Sequence, residues 1–313
     1  MKALLFMETR DGSLLSSSLE LVSAAAAIGA EAAAVSVPET EGLLLEDVVT
    51  EALAKKAQEE GADVVLLSAT ALGKLVAPRL AIRLQGGAVN DAVALKISDG
   101  ALEVTRPVYG GTALQTLKSA GGPLVVSVRG GSFPAPEAIP AVKEIGGTPA
   151  RDNLAKVLEF IEEAGTAVNL EAAKVIVSGG RGMGSEEGFA LCGQLAELLG
   201  GVVGATRPAI EAGWIARTHQ VGQSGKIVTP DLYIACGISG STQHVSGMMG
   251  SKYIVAINKD ADAPIFSVAD VGIVGDAKQI LPLLIEAVKA KKGRSSLQKA
   301  VSAGSEAENL FGF

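Results

Sequence analysis

The chain has 313 residues, of which 48% are hydrophobic and 19% charged, and a formal net charge of −7. This length and apolar content are typical of two globular domains with well-buried cores, and the acidic balance argues against a nucleic-acid partner. The two cysteines, Cys192 and Cys236, are too few for a disulfide framework or a cysteine-based metal centre, and their apolar surroundings indicate core positions.

The first half of the chain alternates short apolar runs with amphipathic stretches. We predict strands at 3–7, 31–37 and 63–68, and helices at 17–28, 45–59 and 70–84. This alternation indicates an α/β fold with a largely parallel sheet. Segments 93–105 and 124–129 have a different, polar–apolar pattern, and we predict that they add antiparallel strands to that sheet.

The N-terminus and the longest apolar runs bear on where the protein works. The chain starts directly on a strand, without a signal or transit segment. The longest alanine-rich stretch, 24–37, is interrupted by polar residues and is too short to span a bilayer. We therefore expect a cytoplasmic protein without direct membrane insertion.

The boundary between the two domains is predicted from turn-forming residues. A proline-rich stretch at 133–140 and a turn-rich stretch at 146–153 precede a short acidic helix at 154–164. We therefore divide the chain into an N-terminal α/β domain, 1–168, and a C-terminal domain, 169–313.

The second domain restarts the alternation of strands and helices. Strands are predicted at 174–178, 201–205, 232–236, 253–257 and 271–274, and helices at 186–199 and 277–291. Five short strands with helical crossovers predict a doubly wound, Rossmann-like sheet. In such a sheet a nucleotide ligand lies beyond the carboxyl ends of the strands.

Three polar loops follow these strands. The stretch SGGRGMGS at 178–185, with Arg181, would let the backbone approach a pyrophosphate, although a tight structural turn explains its glycines equally well. Thr206 and Arg207 end the next strand, where Arg207 either faces an anion or pairs with a nearby carboxylate. The loop QVGQSGK at 220–226 offers donors to the edge of a planar heterocycle, or is a solvated turn.

The segment 231–258, DLYIACGISGSTQHVSGMMGSKYIVAIN, is the most specific part of the chain. Its first strand ends at Gly237, and a turn of small residues then starts a helix whose N-terminus can bind phosphate. His244 lies in the first turn of that helix. A further strand leads to Asn258, and the stretch PIFSVADVGIVGD ends at Asp276.

These motifs, in this order, resemble those of the electron transfer flavoprotein alpha subunits, the ETF alpha or FixB family. The pattern LYIA, GISG, QH and VAIN is preceded by SGGRG, VGATRP and HQVGQSGKIV and followed by NKDADAPIFSVADVGIVGD. The resemblance is dense over 174–289 and looser before it. It implies that the C-terminal domain binds FAD through fourteen residues: Arg181, Thr206, Arg207, Gln220, Gln223, Ser224, Gly237, Ser239, Gly240, Ser241, Gln243, His244, Asn258 and Asp276.

The resemblance implies which of these residues face the flavin ring. Arg207 is similar to an arginine that lies over the isoalloxazine, and Gln220 and Gln223 to amides that line the same pocket. Ser224 stands where relatives often have a threonine whose hydroxyl addresses flavin N5. His244 resembles a histidine that contacts the pyrimidine edge at O2. A cation near that edge favours the negative charge of reduced flavin and raises its potential.

The remaining residues are implied to hold the rest of the cofactor. Arg181 resembles an arginine near the phosphates, and Ser239 and Ser241 lie in the turn near the ribityl chain and the pyrophosphate. Asn258 and Asp276 resemble residues at the adenosine end.

The resemblance implies an electron carrier without its own metabolite substrate, not an enzyme. The chain would form a heterodimer with a beta subunit that often holds AMP. It would accept electrons from acyl-CoA dehydrogenases and other flavin dehydrogenases in fatty acid β-oxidation, and pass them to a membrane quinone oxidoreductase. No nucleophile–base pair, paired carboxylates or metal-ligand spacing stands out in the sequence, which favours a carrier.

Three alternatives stay open from the sequence. The chain could be the alpha subunit of a flavin-bifurcating or FixAB-type complex, in which a second flavin replaces AMP. It could be an NAD-dependent enzyme on a similar fold, although no substrate group is recognisable. A non-redox assembly protein is a third reading, and the presence of Arg207, Ser224 and His244 argues against it.

Overall fold

The computed structural model describes residues 1–10, 12–38, 45–148 and 169–308. The chain divides into two units, Met1–Gly165 and Thr166–Phe313, each with its own hydrophobic cores. The acidic helix predicted at 154–164 and the domain division predicted after residue 168 fall at or within the undescribed residues 149–168, so both stay predictions.

The first unit contains, in chain order, β1 (Lys2–Phe6), β2 (Thr9–Arg10), β3 (Ser13–Leu14), α1 (Ser16–Ala27), β4 (Glu31–Ser36), α2 (Leu45–Glu60), β5 (Val64–Ser68), α3 (Ala71–Arg83), β6 (Gly87–Ala92), β7 (Ala94–Ser98), β8 (Ala101–Val108), β9 (Ala113–Lys118), β10 (Leu124–Val128) and β11 (Val142–Glu144). It is built on a six-stranded parallel sheet of order β11-β4-β1-β5-β10-β6.

Strand β1 shows that this sheet is buried on both faces. Leu4 and Phe6 belong to the core shared with α2 and α3, whereas Ala3 and Leu5 belong to the core shared with α1. Successive side chains of a strand point to opposite faces, so an apolar run without alternation requires cover on both sides. The predicted fold class, a largely parallel sheet with antiparallel strands added, is confirmed.

The detailed prediction for the antiparallel strands was partly wrong. Strands β7, β8 and β9 pair antiparallel, but in a three-stranded sheet of their own. Strand β10 lies inside the main sheet, parallel to both β5 and β6. All five of its residues, LVVSV, are buried. An uninterrupted run of buried residues is typical of a parallel strand that is covered on both faces. It does not fit the polar–apolar alternation on which the antiparallel prediction was based.

The second unit contains, in chain order, β12 (Val175–Gly179), α4 (Glu186–Leu199), β13 (Val202–Ala205), α5 (Arg207–Glu211), β14 (Leu232–Cys236), α6 (Thr242–Val245), β15 (Ile254–Asn258), β16 (Val271–Val274) and α7 (Ala277–Glu308). Its five strands form a parallel sheet of order β13-β12-β14-β15-β16.

This strand order creates a switch point between β12 and β14. The strand after β12 pairs on one side of it and the next strand pairs on the other side. Open α/β sheets bind their ligands outside the carboxyl ends of the strands at such a switch point. The doubly wound prediction is therefore confirmed. Among the described residues, no helix is both long enough and apolar enough to cross a lipid bilayer.

Candidate functional site

The loops that leave β12 and β14 touch each other through their backbones. Gly180 N–H donates to the Cys236 carbonyl at 2.9 Å, and Gly182 N–H donates to the Gly237 carbonyl at 3.0 Å. A Cβ atom on Gly182 would lie 2.7 Å from Gly237 Cα, and Gly237 itself has φ +61°. Only glycine suits these positions, so the floor of the switch-point crevice is bare backbone.

The start of α4 is capped by its own side chains. Ser185 Oγ accepts from Gly188 N–H at 3.4 Å, and two glutamates occupy the first turn. A hydrogen bond from the Ser185 hydroxyl lowers the pKa of Glu187. Arg181, in the 3-10 turn before this helix, is exposed and makes no ion pair with any residue in the described part of the chain. It is therefore the group in this loop most available to an anion.

Thr206 and Arg207 lie where β13 passes into α5. Thr206 is 7% exposed, and its buried Oγ1 has no hydrogen-bond partner among the described residues. Arg207 Nε lies 2.7 Å from Glu211 Oε1, with the side chains 66% and 59% exposed. The ion pair considered from the sequence is thus present. An exposed pair of this kind contributes only about 0.3–0.5 kcal/mol, so another anion can replace Glu211 easily.

The loop at 220–226 packs on helix α6. Gln220 is 6% exposed and its Nε2 donates to Ser224 Oγ at 2.9 Å. Gln223 N–H donates to the Gln243 carbonyl at 2.8 Å. A Cβ atom on Gly222 would lie 3.0 Å from that carbonyl oxygen, so the loop approaches the helix closely. The structure therefore brings the polar groups of this loop and those of α6 to one place.

His244 lies in α6 and is only 5% exposed. Its Nδ1 is 3.1 Å from the Val221 carbonyl oxygen and its Nε2 is 3.0 Å from the Tyr233 hydroxyl. Burial lowers the pKa of His244 to about 4, against a smaller opposite effect of the Val221 hydrogen bond. The imidazole is therefore neutral at physiological pH, and both of its nitrogens have a protein partner.

Asn258 and Asp276 organise turns at the ends of β15 and β16. Asn258 Nδ2 donates to the Ile238 carbonyl at 2.8 Å, which ties β15 to the turn after β14. Asp276 Oδ1 accepts from Lys278 N–H at 2.9 Å at the start of α7. These contacts are structural, and the role of either residue at the adenosine end stays a prediction.

The predicted site residues lie at or after the carboxyl ends of β12, β13, β14, β15 and β16, and those ends share one edge of the second sheet. Sequence reasoning missed Tyr233, which sits within the apolar strand LYIAC and looks like a core residue. The signal that could have identified it is its hydroxyl, since a fully buried tyrosine usually has a hydrogen-bond partner. In the described part of the chain, no cluster of three or more His, Cys, Asp or Glu side chains could hold a metal ion.

The doubly wound sheet and the Gly-rich loops at its switch point are typical of a protein that binds a nucleotide cofactor. Two family models match the chain: the electron transfer flavoprotein FAD-binding domain over residues 169–249, and the electron transfer flavoprotein domain over residues 21–150. The class is therefore that of FAD-binding electron-transfer proteins.

Curated relatives identify the subunit. The chain is 46% identical over 262 residues to the electron transfer flavoprotein subunit alpha of Thermoanaerobacterium thermosaccharolyticum, covering 80% of this chain and 79% of the relative. Subunit alpha of Bacillus subtilis is 43% identical over 235 residues, covering 74% and 72%. That of Mycobacterium leprae is 37% identical over 319 residues, covering 93% and 99%. The chain belongs to the electron transfer flavoprotein alpha subunits.

This membership confirms the resemblance seen in the sequence and its FAD cofactor. Electron transfer flavoproteins are carriers, and an alpha subunit implies a beta-subunit partner. The residues at this edge are compatible with that cofactor. A Cβ atom at Gly180, Gly182, Gly237 or Gly240 would collide with backbone, so these glycines allow the loops at this edge to pack closely. The Thr206 hydroxyl, which has no hydrogen-bond partner among the described residues, and the exposed Arg181 add polar groups to the same edge.

Proposed function

We propose that this chain is the FAD-holding half of a heterodimeric electron carrier that works in the cytoplasm. Its beta subunit holds AMP and contacts domain 1–168, while domain 169–313 holds FAD. The carrier accepts electrons from acyl-CoA dehydrogenases and other flavin dehydrogenases and delivers them to a membrane quinone oxidoreductase. FAD supplies the capacity to take up and release one or two electrons, and the chain itself has no metabolite substrate.

The observation that carries this proposal is the contact between Gly182 and Gly237 at the switch point. Two loops that pack backbone to backbone form a glycine-lined edge at the switch point, which is where open α/β sheets bind nucleotides. The N–H groups of Gly180 and Gly182 are used in that packing and are not proposed to bind the phosphates. Arg181 stands at the same loop with an exposed guanidinium. We assign the phosphates of FAD to this loop pair.

The isoalloxazine is assigned to the neighbouring polar segments. Gln220, Gln223 and Ser224 lie on one loop and His244 on the helix that this loop touches. The fourteen residues identified from the sequence are proposed as the FAD site. For His244 the geometry favours an indirect role, because both ring nitrogens already have partners.

Arg207 and Glu211 offer a test in which two substitutions have opposite signs. Arg207→Ala removes a positive charge next to the proposed flavin position, and Glu211→Gln removes the negative charge that partly neutralises it. A hydrogen bond to a charged group contributes about 1.5–3 kcal/mol. We use the lower end of this range because the Arg207–Glu211 pair is exposed. A free energy of about 1.4 kcal/mol is a tenfold change in the equilibrium constant of reduction, which is ~60 mV for a one-electron couple.

We expect Arg207→Ala to retain FAD and to lower its midpoint potential by about 60 mV. Glu211→Gln should raise the potential, by a smaller amount. The measurement is a spectroelectrochemical titration of the heterodimer. Potentials that do not change in either variant, or that move in the same direction in both, would contradict the role of Arg207.

A second candidate function has one observation in its favour. The chain is 42% identical over 250 residues to "Protein FixB" of Clostridium saccharobutylicum, which covers 78% of this chain and 75% of the relative. A FixAB-type or flavin-bifurcating complex would carry a second flavin in the beta subunit in place of AMP. Flavin and AMP released from the purified heterodimer can be counted by absorbance and chromatography. One FAD and one AMP support the carrier proposed above, and two flavins support the alternative.

A further inference from the structure

Tyr233 and His244 together connect three segments at the proposed FAD site. It lies on β14, its side chain is fully buried, and its hydroxyl oxygen is 3.0 Å from Nε2 of His244. The other ring nitrogen, Nδ1, is 3.1 Å from the carbonyl oxygen of Val221. The imidazole therefore joins a strand, helix α6 and the loop at 220–226.

The chemistry of the partners fixes the direction of both hydrogen bonds. A carbonyl oxygen can only accept, so Nδ1 of His244 carries a proton and donates it to Val221. Burial keeps the ring neutral by lowering its pKa, and a neutral imidazole has a single N–H. Nε2 must then accept, and the Tyr233 hydroxyl must donate. Burial also raises the pKa of Tyr233, so the hydroxyl keeps its proton.

We propose that Tyr233 is a positioning residue of the FAD site and that it acts through His244. The inference rests on the proposed function, because it takes the loop at 220–226 and helix α6 as walls of that site. By donating to Nε2, Tyr233 holds the imidazole in one tautomer and one orientation. His244 in turn holds α6 against the loop, and that contact sets the positions of Gln223 and Gln243.

The first measurement needs no substitution. The chain has two histidines, His219 and His244, so a ¹⁵N–¹H correlation spectrum of the full-length protein contains two imidazoles, and His219→Gln assigns them. We expect His244 to be neutral at pH 7 with its proton on Nδ1, both without and with FAD. A proton on Nε2, or a charged ring, would overturn the inference even if every variant failed to fold.

The second measurement compares Tyr233→Phe with Tyr253→Phe. Both substitutions remove one hydroxyl from the same unit, but Tyr253 is 46% exposed, which makes it the matched control. Loss of the donor leaves a buried acceptor without a partner, and we expect FAD to bind about tenfold more weakly to Tyr233→Phe. In Tyr253→Phe the change should stay below about twofold. The Nε2 resonance of His244 should shift in Tyr233→Phe alone.

A double substitution tests whether Tyr233 acts through His244. If it does, Tyr233→Phe should change FAD affinity by less than about twofold in a His244→Gln background, because coupled residues are not additive. Wild-type FAD affinity in Tyr233→Phe, with a shifted Nε2 resonance, would reduce Tyr233 to a structural residue and leave the proposed function intact. Failure of the wild-type chain and its heterodimer to bind FAD would instead refute the proposed function.

Discussion

The buried imidazole of His244 makes the stability of the second unit depend on pH. Burial lowers its pKa to about 4, from an ordinary value of 6.5. Above pH 6.5 the ring is neutral in both the folded and the unfolded chain and stability does not vary with its titration. As pH falls from 6.5 to 4, the unfolded chain takes up a proton that the folded chain excludes, so stability is lost.

The size of the loss follows from the two pKa values. A difference of this size corresponds to about 3 kcal/mol when the titration is complete, and to about 2 kcal/mol between pH 7 and pH 5. Below pH 4 both states are protonated, and no further loss comes from this group. The whole effect belongs to one side chain, so it should disappear when that side chain is replaced.

Urea unfolding of the flavin-free, full-length chain can measure this effect in the second unit alone. Trp214 is the only tryptophan of the chain, and it is partly buried against the core of that unit, 6.3 Å from Phe189 between ring centroids. Its fluorescence therefore reports this unit and not the other. The comparison is between the wild type, His244→Gln and His219→Gln, each at pH 7 and pH 5.

We expect the wild type and the His219→Gln control to lose stability alike on going to pH 5. The loss in His244→Gln should be smaller by about 2 kcal/mol. Carboxylates that titrate in this range are common to all three proteins and cancel in the comparison. The same pH dependence in all three proteins would refute the assignment of a neutral, buried His244.

Two further predictions concern glycines and cysteines of the second unit. Gly182→Ala should lower the stability of this unit by about 2–3 kcal/mol and weaken FAD binding, because its Cβ would lie 2.7 Å from Gly237 Cα. Gly193→Ala on α4 is the control: its Cβ meets no atom within 4 Å, and we expect a gain of about 0.5–1 kcal/mol in the same urea titration. Cys192 and Cys236 are fully buried, and the neighbouring Cys192 thiol together with burial raises the pKa of Cys236. Neither should react with a thiol reagent until urea unfolds the chain, and fast labelling of the native protein would contradict this packing.

The sequence by itself determined the elements and the cofactor class. Helix α4 was predicted at 186–199 and is found at Glu186–Leu199, because its apolar period and its Ser185 cap are both local signals. The order of the Gly-rich motifs was enough to identify the family and FAD. The sequence also placed the site residues after strands, and parallel strands bring their carboxyl ends to one edge.

Other features depended on which segments meet in space, and no local pattern contains that information. Gly182 and Gly237 are 55 positions apart, and each requires glycine because of the backbone of the other. Strand β10 lies between β5 and β6 and runs parallel to both, and its own residues do not show which strands are its neighbours.

His244 depends most on the tertiary structure. The resemblance to the family implied that it contacts the flavin. Its tautomer and the hydrogen bonds of both ring nitrogens are decided by Val221 and Tyr233, which come from two other segments. A histidine titrates near neutral pH in water, and only burial among such partners moves its pKa far below that value.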